Sequence, residues 1–284
     1  MIRHVEHVMG TVFSFDVRAH GCDHGEHHAG DHAGDHAGDH GCDHGAPPAP
    51  EAVRRAVAEA VAWLRRVDET FSTYRPESPV SRLGRGEIGL DDCPPEVAEI
   101  LAMCAEAARV SHGYFTARPG GRLDPSAMVK GWAIERASRV LTGAGAVNHC
   151  VNGGGDVQLA GTAEPGRPWR TGIADPLHPG RLAAVVECRS GRLAVATSGT
   201  AERGPHIVDP HTGRPATELA AITLVGASLT STDAYATAAF AMGGAAREWV
   251  EGLAGFEAFA VTASGDSWHT PGFPGAALPA LNGR

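Results

Sequence analysis

The chain has 284 residues, enough for one large domain or two small ones, and 43% of them are hydrophobic, which suffices for a sizeable core. A formal net charge of −9 argues against nucleic acid or an anionic membrane as the partner. No apolar run reaches about 18 residues and the first residues lack a long apolar stretch, so we expect no membrane-spanning helix, no secretory signal and a cytoplasmic location.

A histidine-rich insert interrupts the first part of the chain. Residues 8–18 alternate apolar and polar side chains, which predicts an opening strand. Residues 20–45 then contain eight histidines, seven of them at a strict period of four, with glycine at every fourth residue through most of the segment. Each glycine costs a helix about 1 kcal/mol relative to alanine, so we expect a loop. The imidazoles, with Cys22 and Cys42 beside them, make the insert either a Zn²⁺ or Ni²⁺ site or a drifted repeat whose metal affinity is incidental.

Helical and strand-like patterns mix along the rest of the chain. No regular βαβ rhythm appears, which favours an α+β fold over a doubly wound sheet. Residues 71–83 and 113–125 are rich in proline or glycine and are predicted to be loops. The spacing of apolar residues predicts helices at 51–70, 94–111, 128–141, 232–242 and 245–253, and strands within 147–160 and at 182–188, 192–197, 221–225 and 256–262.

A lysine lies close to the start of the third predicted helix. Asp124 precedes a proline, and a turn of small residues leads from there into the helix that carries Lys130. A cation near a helix N-terminus opposes the helix dipole, but it becomes favourable when an anion such as phosphate binds beside it. The structural alternative is a capping aspartate and a solvated lysine, and the segment by itself leaves both interpretations open.

Two further segments combine turn signals with polar residues. Residues 151–157 hold three consecutive glycines between strand-like residues, which permits close approach of a ligand but equally suits a tight hairpin. The pattern is not GxGxxG and no helix follows, so a Rossmann-type dinucleotide fold is not supported. Further on, His206 precedes the strand-like pair Ile207–Val208 and is either a general base or a structural histidine.

A carboxylate and a hydroxyl share one face of the fourth predicted helix. Asp233 and Thr237 are four residues apart, and the rest of that helix is mostly alanine with phenylalanine and methionine. A buried carboxylate and hydroxyl need a polar partner, and a hard cation with oxygen ligands such as Mg²⁺ supplies one. The alternative is that Asp233 caps the helix, although Ser231 and Thr232 already offer caps.

Taken in order, these segments resemble the ApbE family of FAD:protein FMN transferases. The order of short motifs along nearly the whole chain carries the resemblance. It implies a compact α+β fold with a mixed sheet, in which residues 1–284 form a single domain and the insert at 20–45 is additional to the family pattern. The matching segments are Met9-Gly10-Thr11 and residues 71–76, 81–83, 124–131, 152–156, 197–199, 206–215 and 233–237.

The resemblance also implies an activity and a site. The activity is Mg²⁺-dependent cleavage of FAD with attachment of FMN, by a phosphoester bond, to a Thr or Ser of an acceptor protein and release of AMP. The implied metal ligands are the side chains of Asp233 and Thr237 and the backbone carbonyl of Ala127. The implied flavin-dinucleotide contacts come from Met9, Tyr74, Asp124, Lys130 and Ile207.

The expected catalytic roles follow from the chemistry of a pyrophosphate bond. Lys130 takes part of the phosphate charge, and His206 is the first candidate for the base, with Asp233 the second. The stretch between Ser198 and His206 is short, so we expect a reduced flap over the site. One alternative is a Mg²⁺-dependent FAD pyrophosphatase, with water as the nucleophile. Another is a metal-handling or flavin-binding protein built around the histidine-rich insert.

Overall fold

The computed structural model describes residues 1–18, 20, 48–189, 191–201, 204 and 206–277, so residues 21–45 of the predicted insert lie outside the described residues. Within that range the chain forms six α-helices and eleven β-strands. The helices are α1 (Pro50–Phe71), α2 (Pro79–Gly84), α3 (Pro95–Val110), α4 (Ser126–Gly143), α5 (Leu229–Met242) and α6 (Ala246–Glu251). The strands are β1 (Ile2–Val8), β2 (Thr11–Arg18), β3 (Asn148–Gly153), β4 (Asp156–Ala160), β5 (Trp169–Ala174), β6 (Leu182–Cys188), β7 (Arg192–Gly199), β8 (Leu219–Gly226), β9 (Glu257–Thr262), β10 (Ser267–His269) and β11 (Gly275–Ala277).

An eight-stranded sheet organises the described part of the chain. Its strand order is β1-β2-β3-β4-β7-β8-β9-β10, and a second sheet has the order β11-β6-β5. All pairings among the described strands are antiparallel. The predicted α+β class is therefore confirmed, while the expected mixed sheet is corrected to an antiparallel one, because each strand runs opposite to its neighbour whether a short turn or a helical segment connects the two.

The large sheet is covered on both faces. On one face the helices bury a large apolar core, which includes Ile222 and Leu224 of β8. On the other face the three-stranded sheet buries a smaller core, which includes Val225 of the same strand and Phe259 of β9. Every residue of β8 is buried as a result, which explains why its sequence, apart from Thr223, is apolar instead of alternating.

Helix α1 illustrates how a sequence pattern becomes packing. Pro50 is the first residue of the helix, where its missing N–H costs nothing. Val57, Ala60 and Leu64 follow at spacings of three and four and are buried. The same face carries Trp63, whose indole Nε1 donates a hydrogen bond of 3.2 Å to a backbone carbonyl of α4. This contact fixes α1 against the helix that carries Lys130.

The described structure differs from the predicted elements at several places. The opening strand is a hairpin whose turn is Met9-Gly10, with φ of 55° and 69°, a conformation favoured in two-residue hairpin turns. Helix α2 occupies part of the predicted loop at 71–83, because the Ser78 hydroxyl caps it by accepting a 3.1 Å hydrogen bond from Ser81 N. Strands β5, β10 and β11 have no counterpart among the predicted strands. Helix α5 begins three residues before the predicted start, at Leu229.

Nothing in the described part of the chain resembles a membrane-spanning helix, since none of its helices combines the necessary length and apolarity.

The central position of β8 predicts a large stability cost for a cavity there. Leu224 is 0% exposed, whereas Leu182 of β6 is 49% exposed. Leu224→Ala should lower the free energy of unfolding by about 2–5 kcal/mol, the cost of a buried leucine cavity. The matched control Leu182→Ala should change it by less than about 0.5 kcal/mol. Urea denaturation followed by circular dichroism measures both, and equal losses in the two variants would contradict the assigned core.

Candidate functional site

A lysine and two aspartates meet in a largely buried cluster. The Lys130 ammonium forms an ion pair with Asp156 Oδ2 and lies 3.6 Å from Asp233 Oδ1. The side chains of Asp156 and Asp233 are 1% and 5% exposed, while that of Lys130 is 29% exposed. Lys130 is therefore a paired, partly buried cation, and the alternative of a solvated surface lysine is wrong.

Close packing of two helices brings these groups together. A Cβ atom on Gly131 of α4 would lie 2.5 Å from the Leu229 carbonyl oxygen and 2.8 Å from Asp233 Cβ, both on α5. Only glycine permits this approach. Across it, Gly131 N donates a 3.0 Å hydrogen bond to Asp233 Oδ2. Asp233 is the fifth residue of α5, so it lies inside the helix, and the alternative in which it caps the helix is also wrong.

The triple glycine serves the site as a hairpin. Gly154 and Gly155, with φ of 59° and 91°, make the turn between β3 and β4, and Asp156 is the first residue after it. Asp156 Oδ1 then accepts a 3.0 Å hydrogen bond from Thr197 N of β7. The sequence pattern does not identify Asp156 as a site residue. The signal in the sequence is an aspartate that directly follows the glycine turn and begins β4.

Burial dominates the electrostatics of the cluster. It raises the pKa of Asp233 to about 7, and the Asp156 carboxylate acts in the same direction, against the opposing effects of the Lys130 ammonium and Gly131 N–H. When both aspartates are ionised, one ammonium balances only one of two negative charges. The remaining charge favours a bound cation, which would itself hold Asp233 in the ionised form.

Oxygen atoms surround the cluster on the α5 side. Thr237 lies one turn after Asp233, and its hydroxyl is 3.4 Å from Ser198 Oγ of β7. The carbonyl of Ala127 precedes Gly131 by one helical turn, and Gly131 N is the amide that donates to Asp233 Oδ2. Carboxylate, hydroxyl and carbonyl oxygens are the ligands that Mg²⁺ accepts. Among the described residues, no group of three or more His, Cys, Asp or Glu side chains is arranged to hold a metal.

His206 belongs to an exposed loop. Its Nδ1 lies 2.9 Å from the Gly204 carbonyl oxygen. A carbonyl only accepts hydrogen bonds, so Nδ1 carries a proton, and in the neutral imidazole the lone pair is then on Nε2. The following Ile207 accepts a 3.0 Å hydrogen bond from Ala216 N, and Val208 bridges to Pro215. These contacts lie within the loop itself, and His206 at its start is exposed to solvent.

The other predicted flavin contacts lie on loops and turns. Met9 forms the β1–β2 turn, and the Tyr74 side chain is 95% exposed. Asp124 accepts a 3.1 Å hydrogen bond from Ser126 N, the first residue of α4, while Pro125 between them occupies the N-cap position. The structure thus brings Lys130 and Asp233 together in one cluster. Met9, Tyr74 and Asp124 lie on separate turns and loops.

The sequence profile described as the ApbE family matches residues 9–121 and 116–260, which together exceed half of the chain. The chain belongs to the ApbE family. An ApbE relative named FAD:protein FMN transferase from Rhodobacter capsulatus is 35% identical over 165 residues, or 52% of this chain and 31% of that protein. Another of the same name from Vibrio cholerae is 33% identical over 131 residues, covering 43% and 39%. The chain thus spans between about a third and two fifths of these curated relatives.

Solved ApbE structures share the fold over nearly the full chain. A histidine-to-glycine mutant of the flavin transferase ApbE from Vibrio cholerae aligns with a TM-score of 0.72, at 18% identity, over 96% of this chain and 98% of that one. The ApbE protein from Thermotoga maritima aligns with a TM-score of 0.71, at 21% identity, over 95% and 97%. The predicted ApbE-like fold is confirmed by this similarity.

The contact between α4 and α5 predicts a specific penalty at Gly131. Gly131→Ala should destabilise the protein by about 1–3 kcal/mol, because overpacking against Leu229 and Asp233 outweighs the better helix propensity of alanine. Gly143→Ala, in the same helix but with open space around the new Cβ, is the matched control and should be neutral or stabilising. Thermal unfolding compares the two; a stabilised Gly131→Ala variant would contradict the close approach.

Proposed function

We propose that this chain is an FAD:protein FMN transferase, which cleaves FAD, attaches FMN to a Thr or Ser of an acceptor protein by a phosphoester bond and releases AMP. Membership of the ApbE family and the names of the curated relatives support the proposal. The observation that carries it is the buried cluster of Lys130, Asp156 and Asp233, which combines a phosphate-binding cation with a candidate cation site.

In this proposal Lys130 binds the pyrophosphate of FAD. Its side chain is partly exposed, so an anion can reach the ammonium from solvent. Lys130 also lies in the second turn of α4, where the helix N-terminus favours negative charge. Asp156, held by the amide of Thr197, orients the ammonium before the substrate arrives. Such preorganised charge lowers the barrier because it stabilises charge that develops as the phosphate bond breaks.

We propose Mg²⁺ as the cofactor and Asp233, Thr237 and the Ala127 carbonyl as its ligands. The surplus negative charge of the cluster and its all-oxygen donor set fit this ion. When bound, Mg²⁺ supplies charge neutralisation for the pyrophosphate. The proposed FAD contacts are Lys130 and four residues on turns and loops: Met9, Tyr74, Asp124 and Ile207. Among them the exposed Tyr74 ring can stack on a ring of FAD.

His206 is our first candidate for the base that activates the acceptor hydroxyl. Its Nε2 lone pair and exposed position allow a side chain of a second protein to reach it. Asp233 is the second candidate. Its carboxylate already accepts from Gly131 N and faces Lys130 in a buried position, so it is less available to an incoming protein.

The proposed domain organisation treats the histidine-rich insert as an appendage. Residues 1–284 form a single domain, with the insert at 20–45 between β2 and α1. Zn²⁺ or Ni²⁺ binding by its histidines is a separate proposal, independent of the transfer reaction. We also propose a cytoplasmic location.

Two alternatives use the same features. In FAD pyrophosphatase activity, water replaces the acceptor hydroxyl at the same site and the products are FMN and AMP. A metal-handling or flavin-binding protein would instead retain FAD intact. Incubation with FAD and Mg²⁺, with and without a threonine-containing acceptor peptide, distinguishes them. Transfer gives two products, free AMP and a peptide that carries the added mass of the FMN group. Free FMN and AMP without a modified peptide indicate hydrolysis. Intact FAD contradicts both enzymatic proposals.

Asp233→Ala should abolish FMN transfer while leaving the fold intact, because it removes a proposed metal ligand. We expect AMP release to fall by about 10- to 100-fold or more, the range seen for metal-site substitutions. The control Asp175→Ala removes a partly buried aspartate that accepts from Leu177 N in another part of the chain, and it should retain activity. Full AMP release by Asp233→Ala at limiting Mg²⁺ would refute the ligand assignment.

His206→Ala should slow transfer by about 10²- to 10⁴-fold, the usual contribution of a positioned general base, with little change in FAD affinity. His211→Ala is the matched control, since His211 lies in the same loop and stacks edge-on against Tyr114. Flavin fluorescence titration measures FAD affinity, and peptide mass spectrometry measures transfer. Loss of FAD binding with normal turnover at saturation would make His206 a binding residue instead.

A further inference from the structure

The N-terminus of α5 is capped by side chains from other elements. Ser228 precedes the helix at the N-cap position, but its hydroxyl makes no bond to the helix amides. It donates instead a 2.6 Å hydrogen bond to Glu135 Oε2 of α4. The first amides of a helix have no partner within the helix itself, so α5 depends on acceptors supplied from elsewhere.

Glu135 and Gln158 supply these acceptors from two sides. Glu135 Oε2 accepts from Thr230 N at 3.0 Å and from Thr230 Oγ1 at 2.7 Å. Gln158 Oε1 of β4 accepts from Leu229 N at 3.1 Å. Glu135 and Gln158 are 4% and 0% exposed. The first two amides of α5 are thus held by buried acceptors from α4 and β4, an arrangement we call the α5 clamp.

The charge of Glu135 suits its position. Burial raises its pKa, but hydrogen bonds from Ser228 and Thr230 and the charge of Arg139 outweigh that effect, so the pKa lies below its usual value. The carboxylate is therefore ionised at neutral pH. A negative charge at a helix N-terminus interacts favourably with the helix dipole. Arg139, which pairs with Glu135 Oε1 at 2.6 Å, is itself largely exposed.

The α5 clamp uses the same two elements that build the Lys130 cluster. Helix α4 carries Glu135 and Lys130, and β4 carries Gln158 and Asp156. Helix α4 therefore contacts α5 at its N-terminus and again about a turn later, where Gly131 N donates to Asp233. Strand β4 contacts the N-terminus of α5 directly and is linked to Asp233 through the ion pairs of Lys130. A shift of α5 by one residue changes its height by about 1.5 Å and its rotation by about 100°. Such a shift would separate Asp233 from Lys130 and from Gly131 N.

We propose that the α5 clamp fixes the height and rotation of α5, and that Glu135 is thereby a positioning residue for Asp233 and Thr237. The clamp itself follows from the contacts described above. Its consequence for a bound divalent cation rests on the proposed function of the cluster. Glu135 acts by accepting hydrogen bonds from the start of α5, so the length of its side chain matters more for the clamp than its charge.

Conservative variants separate reach from charge. Glu135→Gln keeps a carbonyl oxygen at the same distance and should retain the clamp. Glu135→Asp keeps the charge but is one methylene too short, and Glu135→Ala removes the acceptor. The matched control is Ser138→Ala, which removes a buried 2.7 Å hydrogen bond from the same helix to His149 without touching α5. Arg139→Ala tests the exposed ion pair alone.

Amide hydrogen exchange of the metal-free protein measures the clamp directly. Exchange at residues 229–232 should accelerate by about tenfold or more in Glu135→Ala, less in Glu135→Asp, and little in Glu135→Gln. Ser138→Ala and Arg139→Ala should leave these amides at the wild-type rate. Unchanged exchange in Glu135→Ala, or equal acceleration in Ser138→Ala, would overturn the clamp.

A Mn²⁺ titration followed by electron paramagnetic resonance measures the consequence for the cluster. Mn²⁺ accepts the same oxygen ligands as Mg²⁺. Glu135→Ala should weaken binding by about tenfold, with Glu135→Asp intermediate and Glu135→Gln within about threefold of wild type, as expected for groups that orient metal ligands. Equal Mn²⁺ affinity in wild type and Glu135→Ala, or a loss in Ser138→Ala as large as that in Glu135→Ala, would overturn the positioning role.

The titration contains no FAD, so its outcome is separate from that of the proposed function. Wild-type protein that binds Mn²⁺ with the expected order of variants, yet releases no AMP from FAD, supports the positioning role and refutes the transferase. Active wild type with unaltered metal affinity in Glu135→Ala supports the transferase and overturns the positioning role. Wild type that binds no Mn²⁺ also overturns the positioning role, whereas AMP release still decides the transferase.

Discussion

The close approach of α4 and α5 at Gly131 is the contact on which the rest of the site depends. If a methyl group at Gly131 forced the two helices apart, the amide of Gly131 would no longer reach the Asp233 carboxylate. Small residues also allow α5 to pack closely against the eight-stranded sheet. Ala194 and Ala196 of β7 and Ala258 and Ala260 of β9 face the helices, while α5 is itself rich in alanine. The helix therefore lies close enough to the sheet for Thr237 to approach Ser198.

Burial gives the cluster its chemical character. Two carboxylates enclosed by apolar packing are costly unless charge compensates them, and Lys130 provides that compensation only in part. The protein tolerates the imbalance because hydrogen bonds from Gly131 N and Thr197 N reach the carboxylates from rigid elements. A polar centre held in this way is preorganised, and its remaining charge is available to a ligand.

Local sequence patterns predict most of the helices and strands, but they do not predict the contacts between residues of the site. The helical spacing at α1 and the shared face of Asp233 and Thr237 were evident because both depend on residues a few positions apart. The partners of Lys130 lie 26 and 103 positions away, and no local rule identifies them. The start of α5 was placed too late for the same reason, since its capping acceptors come from Glu135 and Gln158.

The pairing of β2 with β3 has a consequence for how the chain tolerates extra length. Arg18 pairs with Asn148, about 130 positions later, so one long chain segment must close before these strands meet. For a flexible segment the closure entropy grows only with the logarithm of length, so 26 additional residues in it cost about 0.2 kcal/mol. Pairing of strands so far apart in sequence is slow, because the closure entropy is lost before the stabilising contacts between the strands form. Extra length between β2 and α1 therefore changes the equilibrium stability little, and it adds little to the folding barrier because the same closure entropy enters both.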